Sequence, residues 1–446
     1  MAEPDRAGSG GRGPRPGIRP VTERTHVTTA ELFFDLVFVV AFLQVTTRMS
    51  DEASLLNVLQ GILLLTVLWW SWSLFAWLGN RANANYGLSR LVLLTATPIM
   101  FVLSVSIPEA FTDRPGGVYM PFVFVAGFVL VRAIYLALRI YASPGLRRRD
   151  LAALTVPMLV AVGLLTAAAA LPLTGLDTGR IGIGQVTLWA VAAVVDYAFG
   201  MALPIGDRRI FSVRHWTERH NLIVIVAIGE VLVAIGLAGA HLPGTLGLLI
   251  ASALAVVVAG SLEWIYFDLS ALAGESALYA ADPARRAGLG RDGYSYLHLP
   301  MITGVILLAL GLKHVPSLVG DEAAYRRGDP LDDLGRYGMY GGVALFLLAH
   351  AAFQWRLSPR IGTIIWPRLT AAAVLLATIP VTTRISALRA LMWLAVVCLV
   401  MAVTEFIVSR PQRRRLRSTL LEEAEAEAEA ARPPADDADQ TGSAPS

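Results

Sequence analysis

Polar and apolar positions along this chain come in blocks, with little alternation. Long apolar runs recur at roughly 29–48, 54–78, 89–110, 118–142, 151–172, 181–203, 219–240, 244–269, 296–318, 336–356, 362–383 and 388–409. Each can cross about 30 Å of hydrocarbon as a helix, which takes about 20 residues. In lipid the backbone must satisfy itself within the chain, so helices are the expected solution. The pattern predicts an all-α fold, a polytopic transmembrane helical bundle of about twelve helices. No stretch between the runs is long enough for a soluble domain. Pro98, Pro157, Gly182, Pro300 and Pro367 fall inside runs, where neighbouring helices can satisfy the freed backbone groups.

Composition agrees with this pattern. Of 446 residues, 55% are hydrophobic and 16% charged, against about 25% charged in soluble domains. The net charge of +3 comes almost wholly from arginine, because Lys313 is the only lysine. Arginines cluster at 147–149, 208–209, 214, 413–415 and 417, which places these loops in the cytoplasm and both termini inside (N-in/C-in). The expected location is the bacterial cytoplasmic (inner) membrane. The basic residues gather on no soluble face, so nucleic acid is not an expected partner. Residues 1–27 read as a disordered Arg/Gly/Pro-rich tail, 28–410 as the membrane domain, and 411–446 as a basic, then acidic, largely disordered tail. The first apolar run reads as an uncleaved first membrane helix. Arg413 to Arg417 would attract anionic lipid. A single cysteine, Cys398, excludes an internal disulfide. The stretches "LWWSWSLFAWL" and "LEWIYFDLSAL" resemble each other, and a 6+6 internal repeat would put them at equivalent positions.

Charge inside the apolar runs is the functional signal, because it is costly there without a partner or a task. These positions are Glu31, Asp35, Arg132, Asp196, Glu230, Glu263, Asp268, His350 and Glu405. Glu31 and Asp35 lie one turn apart on one face and repel unless a cation or a proton intervenes. Arg132, at comparable depth in the fourth run, is the expected counter-ion. The pair is either a proton or cation site, or a buried ion network that fixes helix packing. In "HWTERHNLIVIVAIGE", Glu218, Arg219 and His220 open the seventh run, and Glu230 follows about three turns deeper, near the midplane. This suits proton-coupled chemistry with His220 as a relay at the mouth; the alternative is a protonated Glu230 bonded to a neighbouring helix. His298 is expected at the mouth of the ninth run. In "SLEWIYFD", Trp264 and Tyr266 read as interfacial anchors, and Glu263 and Asp268 as acids that reach the headgroups.

His298, His314 and His350 lack the i, i+4 spacing of a helical zinc site, so no metal and no cofactor are expected. The chain has no phosphate loop, no G-x-S-x-G elbow and no dinucleotide fingerprint. It is not expected to be an enzyme.

"ELFFDLVFVVAF" from Glu31 and "ERHNLIVIVAIGE" from Glu218 resemble, in order, two signatures of the bacterial low temperature requirement A (LtrA) family. "YFD" at Tyr266 and "HLPMITGVILLALGLKH" from His298 are similar to its later segments. The resemblance covers about residues 28 to 409 and implies a multi-pass inner-membrane protein linked by name to growth in the cold. After its paired tryptophans the family usually carries an acidic Asn-Arg-Phe-Asp type stretch. Here "WLGNRANANYG" keeps Asn80 and Arg81 without the acids.

Two function classes follow. Membrane-buried acids in a large helical bundle suit a secondary transporter or ion/proton-coupled permease for an unknown small solute or ion. The site would use Glu31, Asp35, Arg132, Glu218, Arg219, His220, Glu230, Asp268 and His298. The alternative is a non-transport scaffold, or a lipid- or stress-responsive factor, in which the charges only specify packing.

Overall fold

The computed structural model describes residues 18–412 and 414, apart from 20, 24, 52–53, 144–146, 203–208 and 358–364. Most of both expected tails, with Arg208, Arg413, Arg415 and Arg417, therefore lies outside the described residues.

Eleven helices among the described residues are long and apolar enough to cross a membrane: α1 (Thr29–Ser50), α2 (Leu55–Gly79), α3 (Gly87–Val105), α4 (Met120–Tyr141), α5 (Arg148–Thr174), α6 (Thr178–Phe199), α7 (Val213–Gly239), α8 (Leu246–Tyr279), α9 (Pro283–Gly320), α11 (Ile365–Arg384) and α12 (Ala387–Val408). Between α9 and α11 stands α10 (Gly342–Leu357), preceded by a π turn at Tyr337–Gly341. It occupies the run expected at 336–356 but is not among the eleven. The reason is its burial: a helix enclosed by protein can carry His350 and Gln354, both buried, which dilute its apolar character.

Side chains sort as lipid demands. Large apolar residues such as Leu91, Leu159, Ile183, Val194 and Leu249 are exposed, while Glu31, Arg219, His220, His298, His350 and Arg368 are buried. Side-chain caps fix several helix starts. Thr28 and Glu31 form a reciprocal capping box at α1, and Ser54, Ser212, Thr245 and Ser386 cap α2, α7, α8 and α12; each satisfies an amide that would otherwise lack a partner.

α1, α7 and α9 pack against one another at the centre. α1 and α7 run parallel in constant register. The contacts Glu31–His215, Asp35–Arg219 and Thr46–Glu230 all join residues 184 apart. α9 and α10 close on each other through glycine. A Cβ on Gly304 would lie 2.5 Å from the Gly342 carbonyl oxygen, and one on Gly342 would lie 2.6 Å from that of Gly304. Gly338 and Gly342 are spaced as in the small-residue motif that lets membrane helices touch backbone to backbone. α8 and α9 each contain a π segment, Tyr266–Ser270 and Gly290–Tyr296, and such bulges are frequent at functional sites.

Candidate functional site

The site grows from the first turn of α1. Glu31 is the third residue of the helix, and its Oε2 accepts from the Thr28 amide at 3.0 Å and from the Thr28 hydroxyl at 2.9 Å. From α7, Arg219 Nη1 donates to Glu31 Oε1 at 2.8 Å and Nη2 donates to Asp35 Oδ1 at 3.2 Å. One guanidinium thus bridges both acids through two separate nitrogens of its planar fork. The Trp72 indole of α2 donates to the same Asp35 oxygen at 2.7 Å. The Arg219 guanidinium also lies 5.6 Å from the Trp72 ring. Gly79 admits this contact: a Cβ there would run into Glu31 Oε1 and stand 2.8 Å from Arg219 Nη1.

His215 completes the cluster, with Nε2 at 3.0 Å from both Glu31 oxygens. Its tautomer follows from Asn80. Asn80 Oδ1 accepts from the Phe211 amide at 2.7 Å, so the amide group is oriented and its Nδ2 donates, to the Ser212 carbonyl at 2.6 Å and to His215 Nδ1 at 3.2 Å. An Nδ1 that accepts leaves the ring proton on Nε2, aimed at Glu31. Two carboxylates thus face one guanidinium and one imidazole. Asp35 Oδ2 and Arg219 Nε have no partner among the described residues. A cavity of about 20 Å³ beside Glu31, Phe75, Gly79 and Arg219 has room for a water or a small ion.

Arg132 does not serve this cluster. It pairs with Asp196 of α6 and packs 4.9 Å from the Phe128 ring. The expected counter-ion of Glu31 and Asp35 is corrected to Arg219, four residues beyond His215 on the helix that runs in register with α1. Glu218 holds a neighbouring strand of chain: its carboxylate meets the Val27 amide at 3.2 Å, His26 Nδ1 at 3.0 Å and Arg214 Nε at 3.0 Å.

His220 and His298 are not at a mouth. Both are fully buried in an aromatic cage behind the acid cluster. The His220 ring stands 5.0 Å from Trp72, 4.4 Å from Trp216, 5.1 Å from Tyr294 and 5.4 Å from His298. His220 Nδ1 faces the Trp216 carbonyl at 2.9 Å and His298 Nδ1 the Gly293 carbonyl at 3.0 Å, so both carry their proton on Nδ1. His298 Nε2 lies 2.8 Å from the Tyr266 hydroxyl, which also meets Asn221 Oδ1 at 3.1 Å. Tyr266 is thus a buried bonding partner and not an interfacial anchor, whereas Trp264 is exposed and Glu263 reaches the surface. Asp268 is half-buried in the π segment of α8.

Glu230 stands apart, 11 residues further along α7 than Arg219, or about 16 Å along the helix. Its Oε1 meets the Thr46 hydroxyl at 2.8 Å, and Lys313 Nζ donates to that hydroxyl at 2.7 Å. A further buried charge centre joins Arg368 of α11 to Glu405 of α12, with Gln354 and Ser270.

The sequence reading missed His215, Trp72, Thr46, Lys313 and Arg368 in these roles. One of them carried a signal: the sole lysine ends an apolar run. Among the described residues, no group of three or more His, Cys, Asp or Glu side chains is placed to hold a metal.

The bacterial low temperature requirement A protein (LtrA) family matches residues 26–403. The chain is also 28% identical over 302 residues, 65% of its length and 69% of the relative's, to the Uncharacterized protein RA0937 of Rhizobium meliloti (strain 1021). No solved structure matches. With its apolar helices, its buried charges and a match that spans most of its length, this multi-pass membrane protein belongs to the bacterial LtrA family.

Proposed function

We propose that the protein is a secondary transporter or ion-coupled permease of the bacterial cytoplasmic membrane, with Glu31, Asp35, Arg219 and His215 as its ion-binding centre. The observation that carries this reading is a pair of buried acids with one oxygen unserved. Two fully buried carboxylates share one guanidinium, and one oxygen of Asp35 has no partner among the described residues. A packing device has no need of the second acid, whereas a site that takes up a proton or a small cation does. The arginine-rich loops support both termini on the cytoplasmic side, with α10 as a twelfth crossing. On that orientation the centre lies in the cytoplasmic half of the bundle. Arg413 to Arg417 would then meet anionic headgroups.

The scaffold reading has its own support in Arg132 and Asp196, a buried pair of matched charge. Such a pair reads as packing, and the two readings divide between the two centres. A role in growth at low temperature is carried over from the family's name alone.

The test is flux in proteoliposomes holding the full-length protein, with a pH-sensitive dye and a panel of solutes. Ion or solute flux that Asp35→Asn abolishes supports the reading. A folded wild-type protein that moves nothing, indistinguishable from Asp35→Asn, would overturn it.

A further inference from the structure

Glu230 sits in a different chemical setting from the acids at the other end of α7. It is buried, and its Oε2 has no partner among the described residues. Its one polar neighbour is the Thr46 hydroxyl, and that hydroxyl is over-subscribed. The Leu43 carbonyl and Glu230 Oε1 both lie 2.8 Å from Thr46 Oγ1, and Lys313 Nζ lies 2.7 Å from it. A hydroxyl gives one proton and accepts through two lone pairs. If Glu230 carries a proton, every contact is served: Glu230 and Lys313 donate to Thr46, and Thr46 donates to Leu43. If Glu230 is ionised, Thr46 turns to Glu230 and the carboxylate needs a cation.

One cation is in place. Lys313, the only lysine in the chain, is half-buried at the end of a helical stretch of α9 and is the charged group that acts on Glu230. Asp51, at the end of α1, acts on Lys313 in turn. The remaining elements around Glu230 add no further charge at this level. Arg48 is held by Asn57 and Gln60 at 3.2 and 2.5 Å and stands 3.9 Å from Asp51, and Glu263 of α8 is exposed.

We propose that Glu230 is a proton-carrying carboxyl group and that Lys313, acting through the Thr46 hydroxyl, is the built-in cation that replaces the proton when it leaves. In the loaded state a neutral Glu230 and the Lys313 ammonium share Thr46, and the site carries one positive charge. Release sends a proton to the adjoining aqueous side, and the ammonium then donates to the new carboxylate, leaving the site neutral. The lysine limits how tightly the proton is held and sets the ion as a proton, since a metal cation would have to displace an ammonium already in position. This rests on the transport reading for its purpose, but the chemistry of the site is testable without transport.

The experiment is infrared difference spectroscopy of the full-length protein in lipid vesicles, titrated with acid and base and no other ligand. The protonated carboxyl band of Glu230 is identified by its loss in Glu230→Gln. In Lys313→Met the pH at which this band disappears should move up by about one unit, a tenfold gain in proton affinity, and Lys313→Arg should return it towards wild type. If Lys313→Met does not fold, Thr46→Val removes the shared hydroxyl and should shift the band's frequency instead. A spectrum without a Glu230-dependent band at any pH, or with a band indifferent to Lys313→Met and Thr46→Val, overturns the proposal. A titrating, lysine-sensitive band supports it even in a protein that moves no solute, a result that would count against the transport reading alone.

Discussion

The Trp72 indole and the Arg219 guanidinium both donate to Oδ1 of Asp35, at 2.7 and 3.2 Å, and neither touches Oδ2. The acid is held from one side only. An amide in its place keeps the bonded oxygen and loses the charge. Asp35→Asn should therefore unfold within about 1 kcal/mol of wild type and yet lose ion-dependent flux. Thermal unfolding in detergent beside a proteoliposome assay checks both halves. A large loss of stability with flux intact would make the charge structural.

Arg219 should behave in the opposite way. Arg219→Ala leaves Glu31 and Asp35 buried together without their cation, and breaking such a pair costs roughly 3–5 kcal/mol. Arg219→Lys should recover only part of this, because an ammonium lacks the two separate nitrogens of the fork. The yield of folded protein and its unfolding midpoint should fall in the order wild type, lysine, alanine.

Arg132 and Asp196 provide a contrast. Arg132→Met alone strands a buried acid and should cost about 3–5 kcal/mol, whereas Arg132→Met with Asp196→Leu should be close to neutral or stabilising. Flux by the double variant should be unchanged. Loss of flux in a stable double variant would move this pair from packing to function.

The contrast also shows what the sequence made legible. Helix type, with eleven of the about twelve expected crossings, followed from apolar runs of membrane length, and Glu31, Asp35 and Glu230 were visible as charges in the wrong solvent. Their partners were not, because pairing depends on which helices meet. Arg132 was chosen on depth alone, and depth cannot separate α4 from α7. His220, His298 and Tyr266 were misplaced for a related reason: position near the end of an apolar run suggests an interface, but α8 and α9 continue as helix through π segments and enclose these residues. Lys313 was hidden because its long side chain reaches back along α1 to Thr46.

Backbone contact between α9 and α10 yields a prediction about packing. Gly304→Val would drive a branched side chain into the Gly342 carbonyl, and overpacking of this kind costs about 1–3 kcal/mol. Gly236, which has open space around its Cβ position, should accept alanine without loss. Unfolding midpoints of the two variants, measured side by side, give the comparison.

The register between α1 and α7 has a mechanical consequence. Three contacts at a fixed offset of 184 residues act like teeth on a rack: a slip of one residue would misalign His215 with Glu31, Arg219 with Asp35 and Glu230 with Thr46 at the same moment. The two helices are therefore locked as a single strut through the bundle. Any rearrangement of the bundle that preserves these contacts must leave this strut intact and shift other helices against it.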